Sequence, residues 1–294
     1  MSTRPRRSML YVPGDKARAL EKAKTLPVDS IIIDLEDAVA PDRKAAARDA
    51  IEQAVSGWEK RHCELILRVG GLRIAEDFAL AARLPLDGLL LPKVESAAML
   101  AEAETRTSLA LWCMIETPLG VLRAGEIAGV SSVAGLIAGT NDLAKDLHAR
   151  HVPGRAPLLP ALASILLAAR AFGRAAIDGV YLDLDDAEGF ERDCMQGRDM
   201  GFDGKTLVHP STIDTANRIF APDAGEIERA RSIVTAWDAA RAQGLGVARI
   251  DGQMVEQLHV DDAKRILALA DEVAAARTTA LPEPRAMDLR LATG

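Results

Sequence analysis

Apolar positions along the chain fall into two habits. Short runs with almost no polar break, such as SIIIDL at Ser30–Leu35, alternate with longer alanine-rich stretches that carry charges at helical spacing. Unbroken apolar runs of four to seven residues fit parallel strands buried on both faces, and the stretches between them fit amphipathic helices. The pattern predicts strands at Ser8–Val12, Ser30–Leu35, Glu64–Val69, Gly88–Pro92, Leu109–Ile115, Val133–Ala138, Gly179–Leu184 and Lys205–Val208. Helices are predicted at Lys16–Thr25, Arg43–Val55, Ile74–Leu84, Ser96–Ala103, Leu122–Gly129 and Leu158–Ala171. Eight such units over about 210 residues match the size of a (β/α)8 TIM barrel. A doubly wound open sheet is the competing α/β architecture, but no glycine-rich GxGxxG first turn supports it.

After the eighth strand the rhythm changes, so the barrel is expected over 1–222 and a C-terminal helical extension over 223–294. Within the extension, Gly225–Gln243 reads as a helix and Gly244–Val260 as an irregular, glycine-marked segment. Asp261–Arg277 reads as a second helix, begun by its aspartates as caps. The tail from Thr278 contains Pro282 and Pro284 and is expected to be loose or wrapped on a neighbour.

Composition narrows the function classes. With 49% hydrophobic residues in 294, the chain can bury a large core. A net charge of −7 argues against a nucleic-acid binder, which needs a basic face. The basic start, Met1–Ser8, is followed only by Met9–Val12 before Pro13, too short for a signal-peptide core. Pro160, Ser164 and Arg170 interrupt the most apolar later stretch, so no membrane span is expected. Cys63, Cys113 and Cys194 form no CxxC pair and read as idle thiols in a reducing compartment, which places the protein in the cytoplasm.

In barrels of this kind chemistry gathers where the strands end. The second strand runs into Asp34, Glu36 and Asp37, the third into Arg68, the fourth into Lys93 and Glu95, and the fifth into Glu116. The sixth leads to Asn141 and Asp142, the seventh to Asp183 and Asp185, the eighth to His209. So many carboxylates at one mouth repel one another unless a cation neutralises them. Oxygen donors with few histidines and no thiolate pattern select Mg2+ or Mn2+ over zinc. The plainer reading is that acidic residues after strands cap the next helix, and it is preferred for Asp183, Asp185 and Asp186. His148 and His151, at helical spacing, read as a solvated loop and not as a metal pair. His209 reads as a brace for the site. Lys93 or Lys205 could form a Schiff base if burial lowered its pKa, but a lysine among carboxylates is held protonated.

The strings RSMLYVPG, DLEDAV, LPKVE, IETPLG, GTNDLAKDL and GFDGKTLVHPSTI, followed by DGQMVEQLHVDDAKRIL, run in this order through nearly the whole chain. Together they resemble the citrate lyase β-subunit family within the HpcH/HpaI aldolase superfamily. The resemblance implies a TIM barrel in trimers or hexamers that cleaves or forms C–C bonds in hydroxyacyl thioesters with Mg2+. By motif position it implies Glu116 and Asp142 as direct metal ligands, and Glu36 and Asp37 as groups gripping metal-bound waters. It implies that Arg68 faces the substrate oxygen, and that the segment around Glu256 covers the active site of an adjacent subunit. Two positions depart from the pattern: Met254-Val255-Glu256 stands where the family reads MID, and Gly70-Gly71 follows the third-strand arginine where asparagine is frequent.

The implied activity is a Mg2+-dependent lyase that splits a malyl-CoA- or citramalyl-CoA-type thioester into acetyl-CoA and a 2-oxo acid. Arg6, Arg7 and Lys16 are candidates for CoA phosphate contacts, with simple solvation the plainer reading. The alternatives are a citrate lyase β subunit acting on a carrier-protein thioester, a non-catalytic acyl-CoA-binding paralogue, and a Schiff-base aldolase.

Overall fold

The structure, a computed structural model, describes residues 4–58, 61–250 and 252–280, with side chains described as far as residue 276. The chain divides into two compact units, one ending at Ala221 and the other starting at Pro222.

The first unit is a closed eight-stranded parallel barrel in sequence order. Its strands are β1 (Ser8–Pro13), β2 (Ser30–Asp34), β3 (Glu64–Arg68), β4 (Gly88–Leu91), β5 (Ala110–Ile115), β6 (Val133–Ala138), β7 (Ala175–Asp178) and β8 (Gly204–Leu207). β8 closes on β1 in the register Ser8 to Lys205 and Leu10 to Leu207. Between strands run α1 (Ala17–Ala23), α2 (Lys44–Val55), α3 (Ala75–Ala81), α4 (Ala97–Glu104), α5 (Pro118–Leu122) and α6 (Ala124–Ala128). Then come α7 (Thr140–Asp146), α8 (Leu159–Ala171), α9 (Ala187–Met200) and, after β8, α10 (Ile213–Ile219). The expected (β/α)8 TIM barrel is therefore present.

Why most strand positions are apolar follows from their two burial partners. Outward residues such as Leu10, Ile31, Ile33, Leu65 and Leu67 pack against the helices. Inward residues Met9, Ile32, Ile66, Leu90, Trp112, Met114, Ile137 and Ile177 fill the interior as a separate cluster. Trp112, fully buried, is the largest piece of this plug. It fits because Gly135 lies opposite: a Cβ there would sit 2.4 Å from its Cζ3. Below the plug, the Arg6 guanidinium stacks 5.0 Å from the Trp112 ring centroid and forks onto Glu64. Arg7 does the same with Asp29. Both arginines are thus spent in ion pairs at the N-terminal end of the barrel, away from the strand ends where a thioester would bind. Lys16 lies 3.5 Å from Asp15. The expectation of CoA phosphate contacts for Arg6 and Arg7 is corrected accordingly.

The seventh strand is also corrected. It was expected at Gly179–Leu184 and lies at Ala175–Asp178, pairing Ala175 with Gly135 and Ile177 with Ile137. Two alanines make a weak strand signal, yet inward Ala175 is small where Trp112 and Gly135 already crowd the interior, while Ala176 packs outward against the helices. The more β-like run that follows is a loop, with Leu182 and Leu184 exposed. Strand seven consequently ends at Asp178. This residue is fully buried with Lys205 at 2.8 Å and Arg155 at 2.7 Å, and Asp193 joins the same cluster from α9.

The second unit contains α11 (Ala224–Ala242), the hairpin β9 (Ala248–Ile250) and β10 (Gln253–Val255), and α12 (Gln257–Ala280). A capping box between Asp223 and Glu226 starts α11. The segment expected to be irregular therefore holds a hairpin turning at Gly252, whose φ is +81°. Ala248 and Val255 are buried there with Trp237 and Val260. The last helix begins at Gln257, so Asp261 and Asp262 lie in its second turn and do not cap it. The tail from residue 281, with its two prolines, lies outside the described residues. Among the described residues no helix is long and apolar enough to cross a membrane. The three cysteines are buried and free.

Gly135→Ala should lower unfolding free energy by about 1–3 kcal/mol through overpacking against Trp112. Urea denaturation followed by tryptophan fluorescence measures this, and an unchanged midpoint would refute the packing account.

Candidate active site

The inward alternation that places the plug also places the site. Side chains two residues apart on a strand face the same way. Beyond inward Ile32 stands Asp34, beyond Ile66 stands Arg68, and beyond Met114 stands Glu116. All three line one cavity of about 470 Å³ at the C-terminal mouth, with Asp37 from the loop after β2 and Asn141 and Asp142 from the first turn of α7. Tyr11, Met114, Val180, Leu182 and Val208 supply its apolar wall.

Arg68 is held on three sides. Its Nε and Nη2 donate to Asp34 Oδ1 and Oδ2 at 2.7 and 2.6 Å, its Nη1 lies 2.8 Å from Glu36 Oε2, and its Cζ is 4.8 Å from the Tyr11 ring centroid. Burial alone would lower the guanidinium pKa, but the hydrogen bonds to Asp34 and the charges of Asp34 and Glu36 outweigh it and raise the pKa. Glu36 is buried and its carboxyl is pushed up, by burial first and by Asp37 and Asp34 nearby, against the pull of Arg68 and Lys93. Asp37, the next residue, is exposed and lines the cavity.

Glu116 is only 2% exposed. Its Oε1 accepts the Lys93 N–H at 2.8 Å. Lys93 achieves this with φ of +49°, a left-handed backbone that costs a non-glycine residue about 1–2 kcal/mol. Gly139 lets the next strand end approach: a Cβ on it would lie 2.3 Å from Glu116 Cβ and 2.7 Å from Oε2. Burial, then the charges of Glu36 and Asp142, push the Glu116 carboxyl up to about 7. Asp142 is half-buried in the first turn of α7, so its helix-start role stands beside its place in the cavity wall.

Other candidates fall outside this cavity. Asp186 caps α9, and Asp183 accepts the Asp185 N–H, as the plainer reading held. His209 is exposed and accepts the Ser211 N–H within its own turn, so it braces that turn and not the cavity. His148 and His151 are exposed. Lys205 is buried, yet the charges of Asp178 and Asp193 raise its pKa despite burial, which disfavours a Schiff base. Lys93 is raised too: burial pulls it down, and the charges of Glu36, Asp142, Glu116 and Asp37 together outweigh that. Glu256 is exposed at the start of α12 in the second unit. Asp34's grip on Arg68 and the whole Asp178 cluster escaped the sequence reading. Counting inward positions from Ile32 would have found the first.

The residues present fit a hard divalent cation. A glutamate whose carboxyl is raised to about 7 by burial and by neighbouring carboxylates is in the electrostatic condition that a cation relieves. Among the described residues no group of three His, Cys, Asp or Glu side chains forms a cage. Glu116 and Asp142 alone could hold such an ion, leaving positions for water and substrate.

A closed parallel barrel with an acidic, arginine-bearing cavity at its C-terminal mouth defines the class as a (β/α)8 enzyme. The chain belongs to the HpcH/HpaI aldolase/citrate lyase family, whose pattern matches residues 7–210, and as a member it is a metal-dependent lyase-type enzyme. It is 46% identical over 279 residues to the (3S)-malyl-CoA thioesterase of Cereibacter sphaeroides, covering 94% of this chain and 98% of that one. It is 35% identical over 285 residues to the citrate lyase β subunit of Escherichia coli K12, covering 92% and 94%. Among solved structures it resembles protein CitE of Mycobacterium tuberculosis in complex with magnesium, acetoacetate and coenzyme A, with a TM-score of 0.77 and 30% identity. That match covers 92% of this chain and all of the other. The magnesium there agrees with the Mg2+ expected from the donor set.

Because the Glu116 pKa is raised on folding, the folded chain binds the extra proton between about pH 4.5 and 7. The metal-free protein should therefore lose stability as pH rises through that window, by roughly 3 kcal/mol at most. Mg2+ should raise Tm more at pH 8 than at pH 5.5. Glu116→Gln should flatten this component and remove the Mg2+ shift; scanning calorimetry with and without Mg2+ decides, and an equal shift at both pH values would contradict it.

Proposed function

We propose that the chain is a Mg2+-dependent carbon–carbon lyase acting on a 3-hydroxy-3-carboxyacyl-CoA of the malyl or citramalyl type, yielding acetyl-CoA and a 2-oxo acid. The observation that carries this reading is the facing of a clamped arginine and a raised-pKa carboxylate across one cavity. That pairing suits a substrate whose adjacent carboxylate and hydroxyl present two oxygens to a cation, and whose hydroxyl oxygen also meets a guanidinium as its charge develops. Identity of 46% to a malyl-CoA enzyme, against 35% to a citrate lyase subunit, favours a free CoA thioester over a carrier-bound one.

Glu116 and Asp142 would hold the cation, with Glu36 and Asp37 accepting hydrogen bonds from surrounding water. When bound, Mg2+ supplies Lewis-acid polarisation of the substrate's carboxylate and hydroxyl oxygens. Arg68, charged at every working pH, offers donors to the oxygen on which negative charge develops as the hydroxyl passes its proton to solvent water. As the C–C bond breaks, that oxygen becomes the ketone of the 2-oxo acid. The bonding pair passes to the thioester enolate, which takes a proton to become acetyl-CoA. Glu256, delivered by an adjacent subunit of a homotrimer or hexamer, is the proposed donor of that proton.

A second reading is hydrolysis of the same thioester to the free hydroxy acid and CoA. It is favoured by the thioesterase activity named for the 46% identical relative.

Incubating malyl-, citramalyl- and citryl-CoA with the Mg2+-loaded protein and separating products by chromatography tests both readings. Acetyl-CoA with a 2-oxo acid supports the lyase, whereas free CoA with an intact hydroxy acid supports the hydrolase. Arg68→Ala should slow turnover about 10²- to 10³-fold. Glu116→Ala should abolish it. No product from any thioester would refute both readings.

A further inference from the structure

We infer that Asp34 is a positioning residue that sets the plane of the Arg68 guanidinium, and that turnover depends on this one carboxylate through Arg68. The inference rests on the reading of Arg68 as the group facing the reacting oxygen. Asp34 is 1% exposed and shares the inward row of β2 with Ile32. Its two oxygens meet the Nε and Nη2 edge of Arg68 as a fork, at 2.7 and 2.6 Å. A fork of two parallel bonds fixes a plane, where a single contact fixes only a point. The Tyr11 ring, 4.8 Å from the guanidinium carbon, covers one face of that plane. Tyr11 is itself tethered, donating from its hydroxyl to Met114 Sδ at 3.0 Å. With the fork and the stack in place, the Nη1 corner is what remains to turn toward the cavity, beside Glu36.

The same carboxylate also organises the turn after the strand. Asp34 Oδ1 accepts the Glu36 N–H at 2.7 Å and Oδ2 accepts the Ala38 N–H at 3.2 Å. That turn has a second, independent support: Lys44 Nζ donates to the Leu35 carbonyl at 2.8 Å and the Glu36 carbonyl at 3.2 Å. Asparagine at position 34 keeps the size and one accepting oxygen, and Lys44 keeps the turn. What Asp34→Asn removes is the charge, half of the fork and one of the two turn bonds that the carboxylate accepts. A guanidinium free to tilt by tens of degrees moves its donors by about an ångström, enough to cost on the order of a hundredfold in a step that needs aligned donors.

The test compares wild type, Asp34→Asn, Arg68→Ala and the double variant in the thioester assay, with Mg2+ affinity by calorimetry. Nitrogen-15 arginine NMR follows whether the Arg68 Nη signals are separate, as slow rotation about Cζ–Nε requires. Asp34→Asn should lower kcat about a hundredfold and lower Tm, as breaking a buried pair requires, while KM and Mg2+ Kd stay close to wild type. The double variant should be no slower than Arg68→Ala, since a residue acting through Arg68 has nothing left to act through. The Arg68 signals, separate in wild type, should merge in Asp34→Asn. A kcat within fivefold of wild type for Asp34→Asn, with Arg68→Ala slow, overturns the inference alone. Additive losses with weakened Mg2+ binding assign Asp34 a structural role and overturn it equally. A normal rate for Arg68→Ala, or no turnover by wild type, fails the parent reading instead. In that case separate wild-type signals that merge on substitution still support the clamp, and merged wild-type signals refute it.

Discussion

Everything at the mouth of this barrel depends on what closes it below. Eight strands in a ring leave an interior that must be filled by alternate side chains. Here Met9, Ile32, Ile66, Leu90, Trp112, Met114, Ile137 and Ile177 fill it without a charge among them. The next inward positions are the first that water reaches, and they carry Asp34, Arg68 and Glu116. These groups therefore stand on an apolar floor, with water on one side only. A carboxylate so placed loses much of its hydration. That is why burial is the leading cause of the raised Glu116 and Glu36 pKa values, ahead of any single neighbour. The Trp112–Gly135 contact thus bears on chemistry as well as stability, because a looser plug would admit water beneath the carboxylates.

How legible this was in the sequence follows from the same geometry. Strands two, three, five and six announce themselves because both their faces are buried, so the apolar run is unbroken. A polar residue that breaks such a run, as Arg68 and Glu116 do, marks the mouth directly. Strand seven hid because its contribution to the interior is small: Ala175 packs against the cluster that holds Trp112, a residue 63 positions earlier. No local pattern carries that information. Asp34 was visible as an acidic strand end, but its fork onto Arg68 needs the β2–β3 register that sets residue 34 beside residue 68. The cap reading failed for Asp261 and Asp262 for a related reason. Val260 packs with Trp237, so the helix must start earlier to bury it.

Two buried ionic clusters in the first unit show what separates structural charge from functional charge. Asp178, Asp193, Lys205 and Arg155 gather from β7, α9, β8 and the loop before α8, and their formal charges cancel. Lys205 and Asp178 each have opposite charges at hydrogen-bond distance, and the pKa of each moves toward its charged form, Lys205 up and Asp178 down. Such a set is neutral, closed to solvent and costly to break from one side. At the mouth, Asp34, Glu36, Asp37, Glu116 and Asp142 face Arg68 and Lys93, leaving an excess of negative charge. Within this second set Arg68 and Asp34 satisfy each other, and neighbouring carboxylate charge adds to burial in raising the Glu36 and Glu116 pKa values. A fold selected for stability alone would neutralise that surplus as it does around Lys205. Retaining it beside an open cavity costs stability that a bound divalent cation would return, because such an ion offsets most of the unbalanced negative charge.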